Sequence, residues 1–292
     1  MSESVVLGAP SPAALAESGR RAFSETSDPA AYVERPASAE ALHAIADWDA
    51  NAGRSGTVAA LVAPPGLGKT FLLRVVERHL NRTGLASGTP AARVRALYLP
   101  YAGLGPTDLA LWVHGLLGRA CPVLPDEEAS IAALVDIGAD GGAPLTLLLD
   151  DADSMPPETV QAFSRRLSSA GASLRLLLAL NPDSKGSRLL AALHGLAPRE
   201  VRYVQPLSAA ETGDYLRARM RWAGFPEEIV ARVDEGEAHR VHALSNGIPR
   251  AIHAIAADRL DTGTAVQDKQ ALDGKRRRED WMGRPIEDDL EI

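Results

Sequence analysis

The chain carries a single cysteine, Cys121. One thiol closes no disulfide within a chain and makes no cysteine-based metal cage, which excludes a disulfide scaffold and a zinc ribbon. Cys121 reads as a small buried hydrophobe, and a reducing, cytoplasmic setting suits it. Aromatic residues are scarce, at 4%. Ala, Leu, Gly and Arg abound instead, a compositional bias without functional content. No stretch of about 18 apolar residues occurs, so no membrane-spanning helix is expected. The first dozen residues hold one acid and no Lys or Arg, which is not the basic start of a secretory leader. Positive charge is not in excess either: 31 Lys and Arg against 38 Asp and Glu leave a net charge of −7. That argues against a protein sheathed in basic patches, while a local nucleic-acid face remains open.

What is present is a globular composition, 46% hydrophobic and 24% charged over 292 residues. That is enough for one large domain, alone or with a small companion. Residues 1–28, rich in Ala, Ser, Glu and Pro, read as a flexible segment or a short amphipathic helix. Helical spacing of Ala41, Leu42, Ile45 and Trp48 predicts a helix over 39–48. Short apolar runs bounded by turn residues predict buried strands at 57–63, 94–99, 145–149 and 174–180, with a shorter one at 201–204. Helices are expected between them at 70–80, 108–117 and 158–168. This alternation implies a parallel sheet covered on both faces, a three-layer αβα domain over 29–205. After Pro206 only helical patterns follow. Ser208 and Glu211 form a capping box that opens the first of them, so 206–260 reads as a small all-helical lid. Residues 261–292 read as a charged tail that includes Lys275, Arg276, Arg277 and Arg278, a possible contact for nucleic acid or a docking partner.

The stretch Ala63–Thr70, APPGLGKT, matches the phosphate-binding loop pattern G-x-x-x-x-G-K-[ST] except that Ala63 stands at the first position. Gly66 and Gly68 let the backbone curl so that successive N–H groups face an anion. The helix that follows points its positive end at the same anion. Lys69 would reach the β- and γ-phosphates, and the Thr70 hydroxyl would ligate Mg²⁺. Pro65, Gly66, Leu67, Gly68, Lys69, Thr70 and Phe71 are therefore the expected nucleotide contacts. The strand at 145–149 ends in Asp150, Asp151, Ala152 and Asp153. Asp150 would hold Mg²⁺, directly or through water, and Asp151 would orient the attacking water; the more distant Asp153 is a weaker candidate for that second task. Asn181 ends the next strand, where its amide would meet the γ-phosphate or the water. Arg250 follows Pro249 in the first turn of a late helix and would face the γ-phosphate from the lid.

In this order and spacing, APPGLGKT, LTLLLDDAD, LALN, PLSAAETGDYLRARMRWAG and SNGIPR resemble the AAA+ superfamily. The resemblance is most specific to the branch of ExeA/GspA-type secretion ATPases and TniB/TnsC-type transposition ATPases, beside the origin-recognition ATPases. It covers about residues 30–260, and residues 98–118 resemble that branch's second strand and helix. It implies ATP with Mg²⁺ as cofactors, Asn181 as sensor 1, Arg250 as sensor 2, and Val33 near the adenine. It also implies an ATP-dependent homo-oligomer in which an arginine reaches a neighbour's nucleotide. Arg188, Arg199 and Arg202 are candidates for that finger, and Arg199 fits best. The implied function is an ATPase acting as an oligomerising switch on an unnamed protein partner, most specifically a transposition-type regulator associated with DNA. A STAND-like signalling switch and an ExeA-like secretion ATPase are the alternatives. Two departures bear on these. Asp151 stands where the family commonly has Glu, which predicts slow or partner-stimulated hydrolysis. No winged-helix, peptidoglycan-binding or transmembrane extension follows the lid, which speaks against membrane-anchored secretion.

Overall fold

The computed structural model describes residues 12–51, 56–85, 94–141, 144–169 and 173–270. The chain divides into two compact units, Ser27–Gln205 and a second built from the residues before Ser27 and those after Gln205.

In the larger unit, strands β1 (Val58–Val62), β2 (Ala96–Leu99), β3 (Leu145–Leu149), β4 (Leu174–Leu180) and β5 (Arg199–Arg202) form one sheet in the order β2-β3-β4-β1-β5. Every pairing is parallel. Every residue of β1, β3 and β4 is buried, the near-continuous apolar run expected of strands covered on both sides. Alternate side chains feed two cores. Val58, Ala60, Leu147, Leu176 and Leu178 pack under α4 (Pro106–Leu116), α5 (Glu127–Gly141), α6 (Pro157–Ser169) and α7 (Ser184–Ala192). Ala59, Leu61, Leu148, Leu177 and Ala179 pack under α2 (Pro36–Ala50) and α3 (Lys69–Leu85). This is the three-layer αβα arrangement the sequence implied. Because the strands are parallel, the segments leaving β1, β3 and β4 emerge along one edge. Val62 lies level with Leu180, and Leu149 level with Leu178.

The two ends of this unit are tied together. The buried Arg35 guanidinium donates to the Tyr203 hydroxyl from Nε and Nη2 at 3.0 and 2.6 Å, and from Nη2 to the Gln205 carbonyl at 2.7 Å. It lies 4.8 Å from the centre of the Tyr203 ring, a cation–π geometry.

Several expectations need correction. β5 runs two residues earlier than predicted, at Arg199–Arg202, and only Val201 of it is buried. An edge strand of charged residues offers little apolar signal to read. Helices α5 and α7 were not anticipated. Cys121 is half-buried, not buried. Of the two readings given for residues 1–28, a flexible segment or a short helix, the described part holds helix α1 (Pro12–Phe23), and the Lys275–Arg278 cluster lies outside the described residues.

In the second unit, α1 packs with α8 (Ala209–Ala223), α9 (Glu227–Val230), α10 (Glu235–Ser245) and α11 (Pro249–Gln270). The capping box at the start of α8 forms as predicted: Ser208 N–H donates to Glu211 Oε2 at 2.8 Å, and Glu211 N–H to Ser208 Oγ at 3.2 Å. Arg219, 1% exposed, points both Nε and Nη2 at the Ala22 carbonyl, at 2.8 and 2.6 Å. Ala22 and Phe23 are thereby part of this unit's apolar core. Before α11, Gly247 takes a φ of 68°, and a Cβ there would lie 1.9 Å from the Leu207 carbonyl oxygen. Only glycine fits that approach, which brings Leu207 N–H within 2.9 Å of the Gly247 carbonyl.

His253 in α11 stacks on Tyr215, and its Nε2 lies 2.7 Å from the Tyr215 hydroxyl. Burial first, then the Arg219 charge, push its pKa down to about 4, while a Ser24 backbone hydrogen bond opposes them. The unfolded chain takes up this proton near pH 6.5 and the folded chain only near pH 4, so stability falls as pH drops through that window. Relative to His253→Gln, which does not titrate, the wild type should lose about 2 kcal/mol between pH 7 and pH 5. Urea unfolding at the two pH values measures it. Phe23→Ala should cost about 3 kcal/mol by the same assay, as a core truncation does; a free N-terminal segment would show no change.

Candidate functional site

The segment between β1 and α3 is a short loop that carries two glycines. Ala63 N–H donates to the Leu180 carbonyl at 3.0 Å, which extends the β1–β4 pairing one residue into the loop. Gly66 and Gly68 have φ of 81° and 97°, whereas Ala63 is not among the positive-φ residues. The first loop position therefore tolerates a methyl group, and Ala63 is fully buried. Leu67, 2% exposed, anchors the loop in the core beneath α3.

Lys69 folds back across this loop. Its ammonium donates to the Ala63 carbonyl at 2.7 Å, the Pro64 carbonyl at 3.3 Å and Asn181 Oδ1 at 2.8 Å. Asn181 in turn donates from Nδ2 to Asp153 Oδ2 at 2.8 Å. Lysine, amide and carboxylate thus form one chain across the ends of β1, β4 and β3. Thr70 is exposed in the first turn of α3.

Asp150 is buried at the end of β3, with Oδ1 accepting from Asp151 N–H and Oδ2 from the Tyr98 hydroxyl, each at 3.0 Å. Tyr98, on the neighbouring strand β2, was missed by sequence reasoning. Its only cue is a polar tip in an otherwise apolar strand. Burial, then the Asp150 charge, raise the Tyr98 pKa, which keeps the phenol a donor. The Arg74 guanidinium lies 4.7 Å from the same ring.

Asp151 is exposed and its backbone is left-handed, at φ 50° and ψ 40°. Aspartate is among the few non-glycine residues that enter this region readily, which gives a backbone reason for Asp where Glu is commoner. Its carbonyl accepts from Ser154 N–H at 3.0 Å and Ser154 Oγ at 2.6 Å, closing the turn.

On the other side of α3, the Phe71 ring stacks on Tyr32 with centroids 6.0 Å apart, and the Tyr32 hydroxyl lies 2.7 Å from Ser38 Oγ. The half-buried Val33 is Tyr32's chain neighbour. Arg188, Arg199 and Arg202 are all exposed. Arg199 pairs with Ala59 and Arg202 with Val62. Arg199 is therefore about 10 Å back along the strand from the end of β1 that feeds the loop. Arg250, in the second unit, is exposed and 3.2 Å from Glu25.

Among the described residues no group of three or more His, Cys, Asp or Glu side chains is arranged to hold a metal. A magnesium ion bound with a nucleotide needs fewer protein ligands, one or two oxygens beside the phosphates and water. The Thr70 hydroxyl and the Asp150 carboxylate have that chemistry.

A glycine-bearing loop between a parallel strand and a helix, with acids and an amide on the adjacent strand ends, defines the α/β fold of the P-loop NTPase class. An AAA domain family matches residues 52–186. Among solved structures, Cdc6p from Pyrobaculum aerophilum is similar at 19% identity and a TM-score of 0.61, over 86% of this chain and 66% of that one. Aeropyrum pernix ORC1, determined in complex with DNA, is similar at 20% identity and 0.57, over 89% and 66%. Aeropyrum pernix ORC2, determined in ADPNP-ADP complexes, follows at 15% and 0.56, over 87% and 74%. The chain thus spans just under two thirds of the length of the first two. No curated protein matches it significantly. Among the described residues no helix is long and apolar enough to cross a membrane.

Tyr98→Phe removes one of the two donors that orient Asp150. If Asp150 holds a nucleotide-bound Mg²⁺, the Mg²⁺ concentration needed for half-maximal ATP binding should rise about tenfold, as for loss of an outer-shell partner. Binding of ADP without metal should not change. Titrating Mg²⁺ against a fluorescent nucleotide measures both.

Proposed function

We propose that the chain is an ATP-dependent molecular switch that binds ATP with Mg²⁺, hydrolyses it slowly, and self-associates through the bound nucleotide. The observation that carries this reading is the Lys69–Asn181–Asp153 chain laid across the loop. It brings a cation, an amide and a carboxylate to the place where a γ-phosphate bound on the loop's N–H groups would lie.

Lys69 would exchange its loop carbonyls and Asn181 for phosphate oxygens. The main-chain N–H groups from Gly66 to Phe71 would hold the remaining phosphate charge. Magnesium, held by Thr70 and Asp150, would neutralise charge on the phosphate oxygens. Asp151, exposed beside Asp150, would orient the attacking water, and its short side chain supports a slow rate. Tyr32, Val33 and Phe71 would line the base pocket. Arg250 would report the γ-phosphate to the second unit as sensor 2.

Arg199 is proposed as the finger for a neighbour's nucleotide. Its distance along β5 from its own loop supports action in trans, not in cis. Binding would then couple to assembly, because each nucleotide would complete its shell only when a second copy docks. The finer reading is a DNA-associated regulator of the transposition type. Similarity to a relative solved with DNA supports a DNA partner, and the acidic net charge of −7 confines any such contact to a local surface.

Lys69→Ala should lose measurable ATP binding in a fluorescent-nucleotide titration. Asp151→Asn should bind ATP as the wild type does while phosphate release drops to background; unaltered turnover would refute its role. Sedimentation of the wild type should show ATP-dependent assembly that Arg199→Ala weakens. A monomer that holds ADP tightly and ignores ATP would instead indicate the STAND-like alternative. Adding duplex DNA to the phosphate-release assay tests the DNA reading, with stimulation expected.

A further inference from the structure

We propose that Asp153 is the positioning residue that fixes the amide of Asn181, and through it the ability of the site to tell ATP from ADP. The inference rests on the nucleotide-binding reading above and gives Asp153 a task distinct from the water-orienting one for which it was the weaker candidate. A side-chain amide can present either its oxygen or its nitrogen to a ligand, and the two faces are nearly identical in shape. What decides between them is the pair of groups on either side. Here Asn181 Oδ1 faces the Lys69 ammonium at 2.8 Å, and Nδ2 faces Asp153 Oδ2 at 2.8 Å. A cation on one side and a carboxylate on the other make the reverse orientation doubly unfavourable.

Arrival of a γ-phosphate draws Lys69 away, and only the Asp153 side of this lock remains. With Asp153 in place, Nδ2 keeps one hydrogen on the carboxylate and has a second to offer an anion. Without it, nothing on the far side of the amide selects the donor face.

The placement of Asp153 suits this task. It sits in the short turn Ala152–Ser154, which is fixed by Ser154 N–H to the Asp151 carbonyl at 3.0 Å and Met155 N–H to the Ala152 carbonyl at 3.0 Å. Ala152 is fully buried and Met155 nearly so. The second carboxylate oxygen, Oδ1, is buried and has no hydrogen-bond partner among the described residues. A buried carboxylate oxygen without a donor is costly. Here it accompanies an Oδ2 whose bond goes to Asn181.

The test compares ATP and ADP affinities, by titration calorimetry in Mg²⁺, for the wild type, Asp153→Ala, Asp153→Asn, Asn181→Ala and the Asp153→Ala/Asn181→Ala double variant. Asp153→Ala should leave ADP affinity within about twofold and lower the preference for ATP over ADP about tenfold, the worth of one charge-assisted hydrogen bond. Asp153→Asn, whose side-chain oxygen still accepts from Asn181, should restore most of that preference. The double variant should lose no more than Asn181→Ala alone, since both changes remove the same contact. An undiminished ATP preference in Asp153→Ala, or losses that add in the double variant, overturns the proposal. A folded wild type that binds neither nucleotide removes the underlying reading as well, and is distinguishable from either result. A second measurement needs no change at Asp153. The Asn181 side-chain amide, assigned by NMR through its loss in Asn181→Ala, should show one strongly shifted proton. Two protons at solvated-amide positions overturn the proposal on the unaltered fold.

Discussion

A single ammonium group organises the mouth of the sheet. Lys69 sits at the first position of α3, and its charge is met by two loop carbonyls and one amide oxygen. Those oxygens come from segments that leave two neighbouring strands, and the amide hands the interaction on to a third. Parallel pairing is what makes this possible. Had any of β1, β3 or β4 run the other way, its chemistry would stand at the opposite edge. The sheet's hydrophobic strands therefore do more than fill a core. They set the register at which a lysine, an amide and three carboxylates are delivered to one edge.

The fold was legible wherever burial was two-sided. β3 and β4 begin and end where their apolar runs do, because every residue in them is buried. α5 was not legible for the same reason carried further. Ile131, Ala133, Leu134, Val135 and Ile137 are all buried, so its apolar residues do not form one helical stripe. α7 was overlooked because it is short and carries Gly186 in its first turn. The cue lay just outside it, where the Asp183 carboxylate accepts from Lys185 and Gly186 N–H and caps the helix.

The site was legible to the extent that its residues are adjacent in sequence. The loop glycines, Lys69, Thr70 and Asp150 follow from a motif whose spacing encodes backbone geometry. Tyr98 and the partnership of Asp153 with Asn181 do not, because they arise from strand order, which places β2 beside β3 and β3 beside β4. Asp151 shows a third kind of limit. Its identity was read as a matter of side-chain length, whereas the left-handed backbone beneath it is a separate constraint on the same position.

The tie between Arg219 and the Ala22 carbonyl spans 197 positions of sequence. The smaller unit is thus discontinuous, with the whole of Ser27–Gln205 inserted after its first helix. During synthesis α1 leaves the ribosome first yet has no partner until α8 exists, while the larger unit by then has every strand it needs. Closing so long a loop in an unfolded chain would carry a large entropic cost. The Arg35 clamp on Gln205 removes part of it in advance, since it holds the beginning and end of the insert together once the insert has folded. The chain order thus lets the larger unit fold on its own, whereas the helical unit can close around its early helix only after the insert has been made.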